Sequence, residues 1–202
     1  DAHPVMRNRL YGRDVDTVVD TARTVAAAFL DGGVLPVLHH IPGYGRAVVD
    51  SHKALPRVDV PRTALAARDF APFKALNDIA MGMTAHIVFP CIDDLPATTS
   101  PKAMAMIRED IGFDNLIMTD DISMEALSGT VPERARASLD AGCDIALHCN
   151  GDMTEMAGVA EVCGAMTPAT DIRTKRALSQ RKTPTDVDIS ALEAEFRTLV
   201  AG

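Results

Sequence analysis

Apolar residues recur along this chain in two alternating rhythms. One is the short, nearly unbroken run: "GVLPVLHH" (33–40), "IAMGMTAHIVF" (79–89), "NLIMTDD" (115–121) and "CDIALHC" (143–149). Runs of that length with little polar alternation predict strands covered on both faces. The other is the three-to-four spacing of helices, in "DVDTVVDTARTVAAAFLDGG" (14–33), "VPRTALAARDFAPFKAL" (60–76), "SPKAMAMIREDIG" (100–112), "VPERARASLDAG" (131–142), "DMTEMAGVAEVCGAM" (152–166) and the amphipathic "DISALEAEFRTLV" (188–200). The punctuation agrees with these spans. Ser100 is placed to cap a helix whose first residue is Pro101, and Gly112 and Gly142 follow helix ends. Pro61 suits a first turn, whereas Pro72 must end or kink its helix, and Pro36 costs its strand one ladder hydrogen bond.

Strands and helices therefore alternate as α-β-α-β-α-β-α-β-α, which calls for a parallel sheet, either a (β/α)8 barrel or an open doubly wound sheet. No GxGxxG follows a strand, which counts against a dinucleotide-binding fold. Four strand ends carry reactive side chains: His39 and His40, His86, Asp120 and Asp121, and His148. In a barrel the C-terminal strand ends form the active-site face. The expected fold class is α/β, a (β/α)8 TIM-type barrel occupying residues 1–202 as a single domain. A complete barrel takes about 250 residues and eight strands, so four strands imply a partial barrel, completed by a longer chain or by a partner; the resemblance given below implies that its first strands are the ones lacking. Its two unpaired edges offer a route to self-association.

The stretch "LHHIPGYGRAVVDSHKALP" (38–56) is too irregular for a helix and too polar for a strand. Long loops inside compact domains are commonly functional. Composition narrows the functions open to such a chain. At 47% hydrophobic and 24% charged, it suits a soluble globular domain; with no Trp and 4% aromatics, its core must be aliphatic and methionine-rich. A net charge of −8 leaves no basic excess for nucleic acid. No run of about 18 apolar residues is available for a membrane helix, and "DAHPVMRNRLYGRD" does not read as a signal peptide. The cysteines (Cys91, Cys143, Cys149 and Cys163) form no CxxC pair, so buried, reduced thiols, a cytoplasmic location and no structural zinc are expected.

Two motifs then point to a family. "HHIPGYGRAVVDSH" resembles the "KH-[FI]-PGHG…DSH" loop of bacterial β-N-acetylglucosaminidases in glycoside hydrolase family 3, and "NLIMTDDISMEAL" resembles that family's nucleophile segment, "(V/L)(S/T)DDLSM". "MTAHIVF", "PATTSPKAM…IREDIGFD", "MRNRLYGRD" and "LDAGCDIALHCNG" resemble the segments around them, in the family's order. The resemblance covers nearly the whole chain. It places roughly a further third of the barrel ahead of "DAHPV".

The resemblance implies a retaining exo-β-N-acetylglucosaminidase that releases N-acetylglucosamine from muropeptide fragments of peptidoglycan in the cytoplasm, with no cofactor and no metal. Retaining hydrolysis needs a nucleophile and an acid/base on opposite faces of the anomeric carbon. Asp120 matches the nucleophile and His52 the acid/base, with Asp50 fixing the imidazole tautomer and stabilising its protonated form. Arg9, His39, His40 and His86 are the candidate sugar-binding residues. His39 stands where the family has lysine, and Tyr44 where it has a second loop histidine. Asp121 and Ser123 read as a helix N-cap region. Methionines 81, 83, 104, 106 and 124 read as core packing. Gly43 and Gly45 would let the loop fold over the site.

Two other readings fit the same residues. A truncated barrel could be inactive or merely bind sugar. A metal-dependent hydrolase could gather His39, His40, His86, His148 and Asp120 around Zn2+, although no HxH or HExxH spacing supports it and adjacent histidines on a strand are expected to face opposite ways.

Overall fold

The computed structural model describes residues 9–201. Helix α1 (Val15–Asp31) precedes β1 (Val37–Ile41); α2 (Arg62–Ala64), a π-helical turn (Leu65–Asp69) and α3 (Ala71–Ala75) lead to β2 (Met81–Thr84). A 3-10 turn (Ala97–Thr99) and α4 (Pro101–Glu109) precede β3 (Leu116–Asp121); α5 (Val131–Ala141) precedes β4 (Ile145–Leu147). The chain continues through α6 (Met153–Cys163), α7 (Pro168–Ser179) and α8 (Ile189–Ala201).

The four strands form one parallel sheet in the order β1-β2-β3-β4. Each strand lies beside its predecessor. A doubly wound sheet would reverse direction at a switch point, so the sequential order selects the barrel arrangement, here as a four-stranded arc. All four strands run the same way, and their C-terminal ends share one edge. The strands are shorter than the apolar runs: Ile87, Val88 and Phe89 leave the sheet yet stay buried. Apolar residues in tightly packed coil look like strand in one dimension.

Local signals set the helices. Ser100 accepts from the Ala103 N–H at 3.0 Å, with Pro101 in the first turn of α4. Thr130 and Glu133 form a capping box on α5, and Gly142 ends that helix at φ 119°. Around Pro72 the helix expected over 60–76 breaks into α2, the π turn and α3. Helix α7 was not anticipated; its polar sequence gives a weak amphipathic signal. It is tied to the sheet by ion pairs instead. Arg173 reaches Asp144 at 3.0 Å, and Asp144, with its side chain 2% exposed, also takes Arg108 at 2.8 Å.

The main core packs Ile41, Leu65, Phe70, Ile87, Phe89, Ile107, Phe113 and Ile117 between the sheet and α4. Gly82 is needed there: a Cβ would lie 2.6 Å from Ile41 Cδ1 and 2.9 Å from the Phe113 ring. Met104, Met106 and Met124 are buried as expected, while Met81 and Met83 are half-buried. Of the cysteines only Cys143 is buried, and burial pushes its thiol up to about 12. Cys91 and Cys149 are exposed, which corrects the expectation of four buried thiols. Among the described residues no helix is long and apolar enough to cross a membrane.

Candidate active site

The sheet loses its regular ladder where the reactive residues begin. Register shifts between His39 and Ile41 on β1, and again between Met118 and Asp121 against β4. Such irregularities re-aim side chains at a sheet edge. At the second, the Thr119 hydroxyl stands in for a ladder carbonyl and accepts from the Leu147 N–H at 2.8 Å. At the first, His39 and His40 lie on the same side, with ring centroids 4.4 Å apart. The opposite-facing arrangement expected of a regular strand does not occur, because the strand is irregular here. The His39–His40 and Ile41–Pro42 peptides are both cis.

His40 Nε2 lies 3.4 Å from Asp120 Oδ2 and 3.4 Å from His39 Nδ1. The other Asp120 oxygen, Oδ1, accepts from the Asp121 N–H at 2.9 Å. The carboxylate is thus held at two points with its side chain 18% exposed. Burial pushes His40 down to about 4, against the pull of Asp120, which raises it; the His39, Arg9 and His86 charges push further down. His40 is therefore neutral at pH 7. Arg9 is exposed, and its charge lowers His39 and His40.

Asp50 and His52 form a second pair on the loop after β1. Asp50 Oδ1 accepts from the His52 N–H at 3.0 Å and contacts His52 Nδ1 at 2.7 Å. Those bonds, backbone first, hold Asp50 below the ordinary carboxylate range. An ionised carboxylate can only accept, so Nδ1 carries the proton of that bond, and among the described residues Nε2 makes no hydrogen bond. The imidazole is 68% exposed. Among the described residues no hydrogen bond or ion pair joins His52 to Asp120.

His86 departs from its expected part in sugar binding. It is fully buried, Nδ1 lies 2.8 Å from Thr98 Oγ1, and Nε2 donates to the Asp121 carbonyl at 3.0 Å. Both ring nitrogens are taken, so His86 braces the end of β3 from behind and offers nothing to a ligand or metal. Asp121 faces away from Asp120's partners. Although burial raises its pKa, the bonds from the Ser123 hydroxyl and N–H and the Cys149 N–H prevail and lower it. Asp121 and Ser123 therefore cap a turn and not a helix; α5 starts later, on Thr130. His148 is almost enclosed, with Nε2 3.4 Å from Glu155 Oε2. Among the described residues no group of three or more His, Cys, Asp or Glu is gathered to hold a metal ion.

Thr98 escaped the sequence reading, and Tyr44 was marked there only as a replacement for a histidine. Thr98 is fully buried and supports Thr84 and His86 together. Tyr44 donates its hydroxyl to the Val49 carbonyl at 3.0 Å and accepts from the Ser51 N–H at 2.9 Å. Neither contact leaves a periodicity or spacing signal.

A parallel β/α sheet with histidines and a carboxylate converging on its C-terminal edge defines a partial β/α-barrel domain. The model of the glycosyl hydrolase family 3 N-terminal domain matches residues 1–179, and the chain belongs to that family. The beta-hexosaminidase of Alkalilimnicola ehrlichii is 39% identical over 151 residues, which are 72% of this chain and 43% of that protein. The beta-hexosaminidase of Neisseria meningitidis serogroup C is 39% identical over 152 residues, 73% of this chain and 42% of that protein. The match thus spans less than half the length of these relatives. Among solved structures, NagZ from Neisseria gonorrhoeae in complex with N-trifluoroacetyl-D-glucosamine has a TM-score of 0.78 at 30% identity, covering 96% of this chain and 56% of that one. A family 3 β-N-acetylglucosaminidase from Paenibacillus sp. has a TM-score of 0.78 at 28% identity, covering 93% and 39%.

Proposed function

We propose that this domain carries the catalytic edge of a retaining exo-β-N-acetylglucosaminidase. Asp120 attacks the anomeric carbon, and the glycosidic oxygen leaves with a proton from His52 Nε2. A glycosyl ester on Asp120 results. His52 then takes a proton from water as that water opens the ester, restoring both groups. A histidine serves where most glycosidases use a second carboxylate, and Asp50 holds its Nδ1–H and steadies the imidazolium. Arg9, His39 and His40 are the proposed sugar contacts. The neutral His40 donates or accepts without competing for the charge of Asp120.

The observation that carries this reading is the Asp50–His52 pair, its imidazole largely exposed, on the loop that leaves the same sheet edge as Asp120. The beta-hexosaminidase names of the relatives and the N-acetylated sugar analogue bound to the Neisseria gonorrhoeae structure support the substrate class. N-acetylglucosaminyl muropeptides are the proposed natural substrates and the cytoplasm the proposed location.

The test is hydrolysis of a 4-nitrophenyl β-N-acetylglucosaminide beside an Asp120→Asn variant, followed by mass analysis after a slow fluorinated glycoside. Release by the wild type alone, with one sugar mass on the Asp120 peptide, is the expected result. Equal release by the variant sinks the assignment. Cleavage of N-acetylglucosaminyl-anhydromuropeptides, set against chitobiose, tests the aglycone.

A further inference from the structure

We propose that Tyr44 is a positioning residue for proton transfer, its hydroxyl clamping the backbone on both sides of Asp50 so that the Asp50–His52 pair keeps its orientation. The proposal rests on His52 acting as the acid/base. It does not follow from the family resemblance, because the family has a histidine where this chain has Tyr44.

The ring of Tyr44 packs on the main core and lies 5.8 Å, centroid to centroid, from His40. Its hydroxyl donates to the Val49 carbonyl and accepts from the Ser51 N–H. One oxygen therefore fixes the residue before Asp50 and the residue after it. Asp50 then holds His52 through both the N–H and the ring, and the turn closes with Lys53 and Ala54 N–H groups on the Asp50 carbonyl, each at 3.0 Å. The imidazole itself is 68% exposed, so little besides this chain of bonds orients it. The start of the loop is held independently: Arg46 Nε bonds both oxygens of Asp69, at 2.9 and 2.8 Å. Removing the Tyr44 hydroxyl thus loosens the Asp50 turn and leaves the rest of the loop tethered. At the other end, the same ring sits beside His40, which faces Asp120. Tyr44 is the side chain that links the wall of the nucleophile to the turn of the acid/base.

Tyr44→Phe keeps the ring and deletes one atom, so the core survives. Two readouts separate positioning from general support. The first is kcat/KM on two aryl β-N-acetylglucosaminides, a 2,4-dinitrophenyl glycoside that departs without a proton and a 4-methoxyphenyl glycoside that needs one. The variant should lose about 10-fold on the second and less than about 3-fold on the first, a fraction of what a missing general acid costs. The second is hydrogen exchange at the Ser51 amide, which should speed up by about 10-fold or more once its acceptor is gone. Equal losses on both glycosides, or no loss on either, overturn the proposal. If the wild type cleaves neither glycoside, the functional reading falls separately. The clamp is then judged by exchange alone: unchanged Ser51 protection overturns it, and faster exchange confined to residues 49–54 upholds it.

Discussion

His40 faces Asp120 across the C-terminal edge of the sheet, Nε2 to Oδ2 at 3.4 Å, with both side chains largely enclosed. Burial lowers the histidine to about 4 from its ordinary 6.5. The folded protein therefore resists a proton that the unfolded chain accepts. This stabilisation is complete above about pH 6.5 and is lost as the pH falls towards 4. Its size is at most roughly 3 kcal/mol. The melting temperature of the wild type should drop across that window more steeply than that of His40→Gln, which keeps the contribution of His86. Parallel pH profiles would contradict the assignment.

Asp120→Asn should lower kcat by three or more orders of magnitude, the scale on which nucleophile removal acts, and leave the fold intact. Circular dichroism and a melting curve check the fold; steady-state kinetics check the loss.

His52→Ala should cost about 10²- to 10⁴-fold in kcat/KM on poor leaving groups and far less on 2,4-dinitrophenyl glycosides. On the proposed mechanism Asp50 acts through His52, so Asp50→Ala added to His52→Ala should cost almost nothing more. Additive losses in that double-mutant cycle would show that Asp50 does something of its own.

Asp144 is buried at 2% exposure and receives Arg108 and Arg173, together with the Ile117 N–H at 2.9 Å and the Thr170 hydroxyl at 3.1 Å. Asp144→Ala leaves the largely enclosed Arg108 guanidinium without its carboxylate, while Arg173 keeps Asp114 at 3.0 Å. A loss of about 3–5 kcal/mol is expected, read from urea denaturation. A loss below 1 kcal/mol would mean that α7 is held by other contacts.

Gly82→Ala should destabilise by about 1–3 kcal/mol through overpacking, since its new Cβ meets Ile41 and Phe113 at under 3 Å. Ile41→Val in the same chain should recover part of that loss, in the same denaturation experiment, because it removes the Cδ1 atom that the Cβ meets.

Much of the candidate site was legible before any coordinates. Reactive side chains ended four apolar runs, and parallel strands put their C-terminal ends on one edge, so His40 and Asp120 came together as that logic requires. The Asp50–His52 contact follows from two-residue spacing in a turn. His86 was misread because burial and bonding partners are properties of the fold: its hydrogen bonds reach residues 12 and 35 positions away. The motif marked Tyr44 as a replacement but not its contacts, since its partners are backbone groups that any sequence supplies.

The sequence by itself determined the alternation of strands and helices up to α6, several caps and breaks, and the family. These depend on local periodicity, on Ser100, Thr130, Pro72 and Gly142, and on motifs read in one dimension. Only the tertiary structure decided that the strands pair in sequential order, that an irregularity in β1 puts His39 and His40 on one side, and which way each titratable side chain faces. It also decided that α7 docks through the ion pairs of Asp144 and that Tyr44 spans two parts of the site. Such outcomes depend on contacts between distant residues, where packing and desolvation outweigh local preference.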